Sequence, residues 1–116
     1  MTIKIEQAIN LVKVYLTHAE EESNKMGSGI PNYRNPNTEL AILDGKTEEY
    51  EFGWVFYYNS AKYIETGDFR DALGGNAPLI VNRFSGEIIE TGTAQAPKYY
   101  INNYAKTGNP HLENEI

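Results

Sequence analysis

The stretch 53–60, Gly-Trp-Val-Phe-Tyr-Tyr-Asn-Ser, constrains the fold of this chain more than any other segment. In an extended strand, alternate side chains point to opposite faces of the sheet. Trp54 and Phe56 then fall on one face, and Val55 and Tyr57 on the other. A strand that is apolar on both faces must lie inside a sheet covered on two sides, or inside an interface.

The composition is that of one folded domain. The 116 residues are 41% apolar and 12% aromatic, which is typical of a globular protein rather than a disordered one. A chain of this size can bury ~65% of its unfolded surface in a single core. We expect a single domain over residues 1–108, followed by a flexible tail over 109–116.

The charge balance is acidic, with ten basic and sixteen acidic side chains and a net charge of −6. This disfavours nucleic acid as a partner and favours a protein with a basic surface, although many cytosolic proteins are also acidic. Without cysteine there is neither a disulfide framework nor a thiolate. No stretch approaches the ~18 apolar residues of a membrane span, and the N-terminus lacks a signal peptide's apolar core. We expect a cytoplasmic protein without a membrane partner.

Hydrophobic periodicity and turn residues predict the order of elements. Apolar residues at spacings of three and four indicate a helix over 4–22. The glycines, prolines and asparagines of 23–38 indicate a long loop, which either contacts a partner or folds back on the core. Polar residues 47–51 are predicted to turn the chain into the next strand, either as part of a wide loop or after a tight hairpin at Asp44-Gly45, and the chain is predicted to turn again at Gly67. The strands are predicted over 39–46, 52–59, 77–81 and 87–91, and the second helix runs from Pro97 to Gly108.

Short links between these strands imply antiparallel pairing. The prediction is therefore an α+β fold with an N-terminal helix, a four-stranded antiparallel sheet with hairpin connections, and a C-terminal helix.

No catalytic constellation is found in the sequence. The two histidines, His18 and His111, have no reason to meet, and the serines lack a Gly-x-Ser-x-Gly context. Phosphate-binding glycine patterns and metal-ligand spacings are absent from the sequence. The acidic clusters, which lie in predicted turns where carboxylates are normally solvated, are Glu48, Glu49 and Glu51, and Glu65, Asp68 and Asp71. The sequence predicts a protein that is not an enzyme and binds neither a metal nor a cofactor.

A second dense run, Gly-Asn-Ala-Pro-Leu-Ile-Val-Asn-Arg at 75–83, follows the aromatic stretch. Together with the shorter segments between and after them, the two runs occur in an order that resembles the YrhB-like family, also called immunity protein 35. The resemblance covers residues 50–105. The shorter segments are Tyr-Ile-Glu-Thr-Gly at 63–67, Ser-Gly-Glu at 85–87 and Gly-Thr-Ala at 92–94.

The resemblance implies a small cytoplasmic α+β protein. Many members are thought to be immunity proteins, which neutralise a bacterial toxin inside its producer, whereas the YrhB branch is associated with a chaperone-like role. Most of the shared motif residues are of structural types. Trp54 and Phe56 would anchor the core, Gly75 and Pro78 would shape the start of the third strand, and Gly86 would form a hairpin turn.

The hypothesis is a non-enzymatic immunity protein whose cognate toxin has a basic contact surface. The partner contacts should then lie outside the shared motifs, because those define the fold. The predicted contacts are Tyr33, Arg34, Glu48, Glu49, Tyr50 and Glu51. The alternative is a chaperone-like stress protein that holds unfolded clients, which requires an exposed apolar patch. Homo-oligomer formation is compatible with either.

Overall fold

The structure, a computed structural model, describes residues 2–28, 39–43, 45–67 and 77–111, with residues 22–28 described by their backbone alone. Within these ranges the chain forms three helices and six strands, which confirms the predicted α+β class. The elements are α1 (Ile5–Ser28), β1 (Leu40–Ile42), β2 (Glu48–Tyr50), β3 (Gly53–Phe56), β4 (Tyr58–Ser60), α2 (Ala61–Thr66), β5 (Leu79–Asn82), β6 (Ile88–Glu90) and α3 (Pro97–Thr107).

A four-stranded antiparallel sheet in the order β2-β3-β5-β6 forms the centre of the fold. Every residue of β3 is buried. On one face, Ala8, Val12 and Leu16 of α1 pack with Trp54 and Phe56. The opposite face packs against α3, and its cluster is Val55, Ile80, Ile101 and Tyr104. The aromatic strand therefore lies in a sheet covered on two sides, as its apolar residues on both faces predicted.

The predicted strand over 52–59 is interrupted at Tyr57, and its two halves pair with different segments. Its first half, β3, pairs with β2, whereas β4 pairs with β1 in a separate two-stranded sheet, with Ala41 opposite Asn59. The prediction that 39–46 belongs to the four-stranded sheet is therefore wrong. The predicted turn over 47–51 instead supplies an edge strand, because a two-residue turn folds Glu48–Tyr50 directly back onto β3.

Two helical segments also differ from the prediction. Helix α1 continues to Ser28, six residues beyond its predicted end, because each further residue adds a hydrogen bond to an existing helix. The rest of the predicted loop, 29–38, lies outside the described residues. Residues 61–66, predicted only to lead to a turn, form α2. The Ser60 hydroxyl accepts a hydrogen bond from the Tyr63 N–H at 3.0 Å, and Gly67 ends the helix in the left-handed conformation.

The C-terminal third follows the prediction closely. Gly86 adopts a φ of 75° in the β5–β6 hairpin, and α3 begins at Pro97 and ends before the left-handed Gly108. Beyond it, the Asn103 side-chain amide donates to the Pro110 carbonyl at 3.1 Å. Most of the predicted tail, 112–116, lies outside the described residues, so its flexibility stays a prediction. Over the described part of the chain, no helix is long and apolar enough to cross a membrane.

Candidate functional site

Four of the six predicted contact residues come together on one edge of the four-stranded sheet. Glu48, Glu49 and Tyr50 form β2, and Glu51 begins the turn to β3. We call these four residues the acidic edge. Its three carboxylates are exposed, Tyr50 is half-buried, and no described strand pairs with the outer side of β2. The other two predicted contacts, Tyr33 and Arg34, lie outside the described residues.

The acidic edge presents carboxylates to both sides of the sheet. Glu48 is the register partner of Val55, whose side chain points towards α3, and Glu49 is the partner of Trp54, which points towards α1. This placement follows from the alternation of side chains along a strand. A partner that approaches the edge of the sheet therefore meets negative charge from both faces.

Two tyrosine hydroxyls hold the Glu48 carboxylate. Tyr50 donates to its Oε1 at 3.0 Å, and Tyr57 donates to the same oxygen at 3.3 Å. Burial, together with the charge of Glu48, raises the pKa of Tyr57 to about 12, and the same causes raise the pKa of Tyr50. Both hydroxyls therefore stay protonated at neutral pH and act as donors that orient the carboxylate.

Arg83, at the start of the β5–β6 turn, connects the acidic edge to the core through hydrogen bonds and a cation–π contact. Its guanidinium donates to Glu49 Oε2 at 2.9 Å and to the Tyr50 carbonyl at 2.6 Å. The same group lies 4.9 Å from the centroid of the Trp54 ring, in cation–π contact. The Arg83 side chain is only 24% exposed, so these contacts are partly shielded from water.

Arg83 leaves most of the negative charge of the acidic edge uncompensated, since the edge has three carboxylates and the guanidinium pairs with Glu49 alone among them.

Sequence reasoning placed Arg83 in a family motif but gave it no role. Its partners are 33 and 34 residues away along the chain. No local pattern connects positions at that separation, so only the β3–β5 pairing reveals the contact.

A chain of aromatic rings supports the acidic edge from the other face. The rings of Tyr50 and Phe52 stack with centroids 5.2 Å apart, and Phe52 meets Tyr104 of α3 edge-on at 4.9 Å. The Tyr104 hydroxyl accepts a hydrogen bond from the Asn82 side-chain amide at 2.8 Å. The acidic edge is thus fixed against both β5 and α3 before any partner binds.

The two histidines lie apart from the acidic edge in sequence and have other surroundings. His18 is 75% exposed beside Glu21 on the surface of α1, and the ring of His111 packs edge-on against Tyr100. In the described ranges, no group of three or more histidine, aspartate or glutamate residues could hold a metal ion. A groove of about 590 Å³ lies between α1 and β1, and none of the four acidic-edge residues lines it.

The fold and the acidic edge define a small α+β domain with a preformed, negatively charged edge. The family model "Immunity protein 35" matches residues 6–106, so the chain belongs to the immunity protein 35 family. It is also 33% identical over 73 residues to the uncharacterized protein YrhB of Escherichia coli (strain K12), a match that spans 63% of this chain and 78% of that protein. These matches confirm the resemblance predicted from the two dense runs. No solved structure matches the chain.

Proposed function

We propose that this protein is a non-enzymatic immunity protein that binds and neutralises a cognate toxin in the cytoplasm of the cell that produces both. The acidic edge is the observation that carries this proposal. Its three carboxylates are exposed on the edge strand β2 and at the start of the turn after it, and no described strand pairs with the outer side of β2. Membership of the immunity protein 35 family supports a toxin as the partner.

The charge of the protein favours a toxin with a basic contact surface. The net charge is −6, and complementary fields can accelerate association to ~10⁸ M⁻¹s⁻¹ or above at low salt. An acidic protein that binds over the active site or substrate surface of a basic toxin would inhibit it without any chemistry of its own. The proposed contacts remain Tyr33, Arg34, Glu48, Glu49, Tyr50 and Glu51.

The rigidity of the acidic edge supports tight binding. Arg83 holds Glu49 and the Tyr50 carbonyl, while the Tyr57 hydroxyl holds Glu48. Side chains that are already ordered lose less conformational entropy when a partner binds. A preformed acidic surface of this kind favours one specific partner over a series of unrelated clients.

The chaperone-like alternative has weaker support. A holdase needs a contiguous apolar surface, whereas the acidic edge presents three carboxylates. In the described ranges the exposed large apolar residues are divided among three elements: Ile5, Leu11 and Val14 on α1, Ile64 on α2, and Phe84 in the β5–β6 turn. The comparisons supply the immunity family and no client-binding activity.

The test is co-purification with the product of the adjacent gene. A single tight, salt-sensitive complex is the expected result, whereas holdase activity on several unrelated proteins would favour the alternative. Alanine at all six proposed contacts should abolish the complex while the protein stays folded. Unchanged toxin binding by that variant would show that the contacts are placed wrongly.

A further inference from the structure

Phe84, at the tip of the β5–β6 hairpin, is the most exposed of the large apolar residues that the structure describes, at 63%. Single exposed apolar residues are common on protein surfaces, so exposure alone assigns no role. Phe84 differs from the other exposed large apolar residues of the described ranges because it lies in a turn between two strands, whereas they lie on α1 and α2.

The tip of the hairpin is fixed by its own hydrogen bonds. The Asn82 side-chain oxygen accepts from the backbone N–H groups of Phe84 at 2.8 Å and Ser85 at 3.0 Å. The Gly86 N–H donates to the Asn82 carbonyl at 2.8 Å, and the Glu87 N–H donates to the Ser85 hydroxyl at 3.1 Å. These bonds order the backbone of the turn around Phe84, so a partner need not order that backbone.

The hairpin is also hydrogen-bonded to the N-terminal chain and lies against α1. The Ile3 N–H donates to the Arg83 carbonyl at 2.8 Å, which ties the N-terminal chain to the hairpin. On one side, Leu11 of α1 is 38% exposed, and its Cδ1 lies 3.8 Å from the position that a Cβ of Gly86 would occupy. The exposed Leu11 side chain therefore lies against the β5–β6 turn at Gly86.

On the other side, the tip adjoins the acidic edge. The Arg83 N–H donates to the Phe52 carbonyl at 2.8 Å, which places the β2–β3 turn with Glu51 beside the β5–β6 turn. The Arg83 side chain reaches Glu49 of the same edge. Phe84 is therefore an exposed apolar residue that directly follows Arg83, and Arg83 contacts both the β2–β3 turn and the acidic edge.

We propose that Phe84 is the apolar anchor of the toxin interface and inserts into an apolar cleft on the toxin whose rim is basic. A protruding ring is complementary to a concave apolar site, and the neighbouring carboxylates are complementary to basic side chains around it. Interfaces commonly combine an aromatic anchor that becomes buried with a charged rim. This inference rests on the proposed function and adds the shape and chemistry of the toxin surface.

The test compares Phe84→Ala with Ile64→Ala in binding to the toxin encoded beside the gene. Ile64 is a matched control, because it is 43% exposed and lies on α2, away from the hairpin. Phe84→Ala should weaken the affinity by about 30-fold or more, mainly through faster dissociation. Ile64→Ala should leave it unchanged, and both variants should keep the wild-type melting temperature.

The salt dependence of toxin affinity distinguishes the contribution of Phe84 from that of the acidic edge. The loss caused by Phe84→Ala should persist at high salt because the contact is apolar, whereas losses from acidic-edge variants should shrink. A loss for Phe84→Ala below roughly threefold, or one that vanishes at high salt, overturns the proposal.

Two further results would have different meanings. If the wild-type protein does not bind the toxin, the proposed function itself fails. If Phe84→Ala converts a dimer to a monomer and leaves toxin affinity unchanged, Phe84 contacts a second copy of this chain, and the anchor proposal is overturned while the proposed function stands.

Discussion

The two edges of the central sheet, β2 and β6, both carry a glutamate that accepts hydrogen bonds from tyrosine. On β2, Glu48 accepts from Tyr50 and Tyr57. On β6, Glu90 accepts from the hydroxyl of Tyr15. The chemistry of the two edges is similar, so the difference between them lies in which elements the hydrogen bonds connect.

The Glu90 bond joins the β6 edge to α1, because Tyr15 lies on the helix that covers the core. The Glu90 carbonyl also faces His111 Nε2 at 3.2 Å, so the C-terminal chain crosses this edge. The tyrosines that hold Glu48 lie on β2 itself and directly after β3. We infer that the carboxylate on β6 secures the fold, whereas the carboxylates on β2 are held in place for a partner.

The largest predicted difference between the two edges is in the unfolding free energy that is lost when the glycine of each hairpin, Gly53 or Gly86, is changed to alanine. In Gly53→Ala the new Cβ would lie 1.9 Å from the Val81 carbonyl oxygen, at a φ of +144°. The variant should lose more than about 4 kcal/mol of unfolding free energy or fail to fold. In Gly86→Ala the new Cβ would lie 3.8 Å from Leu11 Cδ1, an ordinary van der Waals contact, so the variant should lose only about 1–2 kcal/mol for the left-handed conformation. Urea unfolding measures both, and equal losses would contradict the packing described for Gly53.

Arg83→Ala is expected to have the next largest effect, since Arg83 connects β2 to the core. Removing the bonds to Glu49 and the Tyr50 carbonyl, together with the contact with Trp54, should lower the unfolding free energy by about 2–4 kcal/mol. Arg83→Lys keeps the charge without the planar fork and should recover only part of this. The same urea titration tests both variants. A loss below about 1 kcal/mol for Arg83→Ala would mean that β2 does not depend on this residue.

A smaller difference in unfolding free energy is expected when the tyrosines that hydrogen-bond to the two edges are changed to phenylalanine. Tyr15→Phe breaks a bond between elements and should lower the unfolding free energy by about 1–2 kcal/mol. Tyr50→Phe breaks a bond within one exposed strand and should cost less than about 0.5 kcal/mol. Thermal unfolding of the two variants side by side checks this order. The reverse order would remove the structural distinction between β6 and β2.

A further effect, at Tyr57, should appear only at alkaline pH. Burial and Glu48 raise the pKa of Tyr57 from 10.0 to about 12 in the folded state. The neutral hydroxyl therefore contributes stability that is fully present below pH 10 and is lost as the pH rises towards 12. Tyr57→Phe should show a shallower loss of stability over this range in urea titrations from pH 8 to 12. An identical slope for the variant would contradict the raised pKa.

The central part of the fold could be predicted because its information is local. Large apolar side chains on both faces of 53–56 require two covering layers, and Gly86, Pro97 and Gly108 mark turns and helix ends by their backbone chemistry. Ser60 and Gly67 carried equally good signals for the caps of α2, and the prediction used only Gly67, as a turn.

The acidic edge could be predicted as a surface but not as a strand. Three glutamates within 48–51 indicate exposure to solvent, and an exposed turn and an edge strand have the same polarity. The structure shows an edge strand: the predicted strand over 52–59 is interrupted at Tyr57, and its first part, β3, pairs with Glu48–Tyr50. The role of Arg83 was missed because its partners on β2 are brought to it only by the β3–β5 pairing.

The central claim is that the β2 edge, and not acidity in general, binds the toxin. The most direct test measures toxin affinity for two triple variants with the same net charge, −3 (−6 plus 3). One variant changes Glu48, Glu49 and Glu51 to Gln, and the other changes the exposed residues Glu6, Glu21 and Glu65 to Gln.

At low salt the β2 variant should bind about 100-fold more weakly, mainly through slower association, and the control should stay within about threefold of the wild type. Equal losses in the two variants, or no loss in the β2 variant, would contradict the claim.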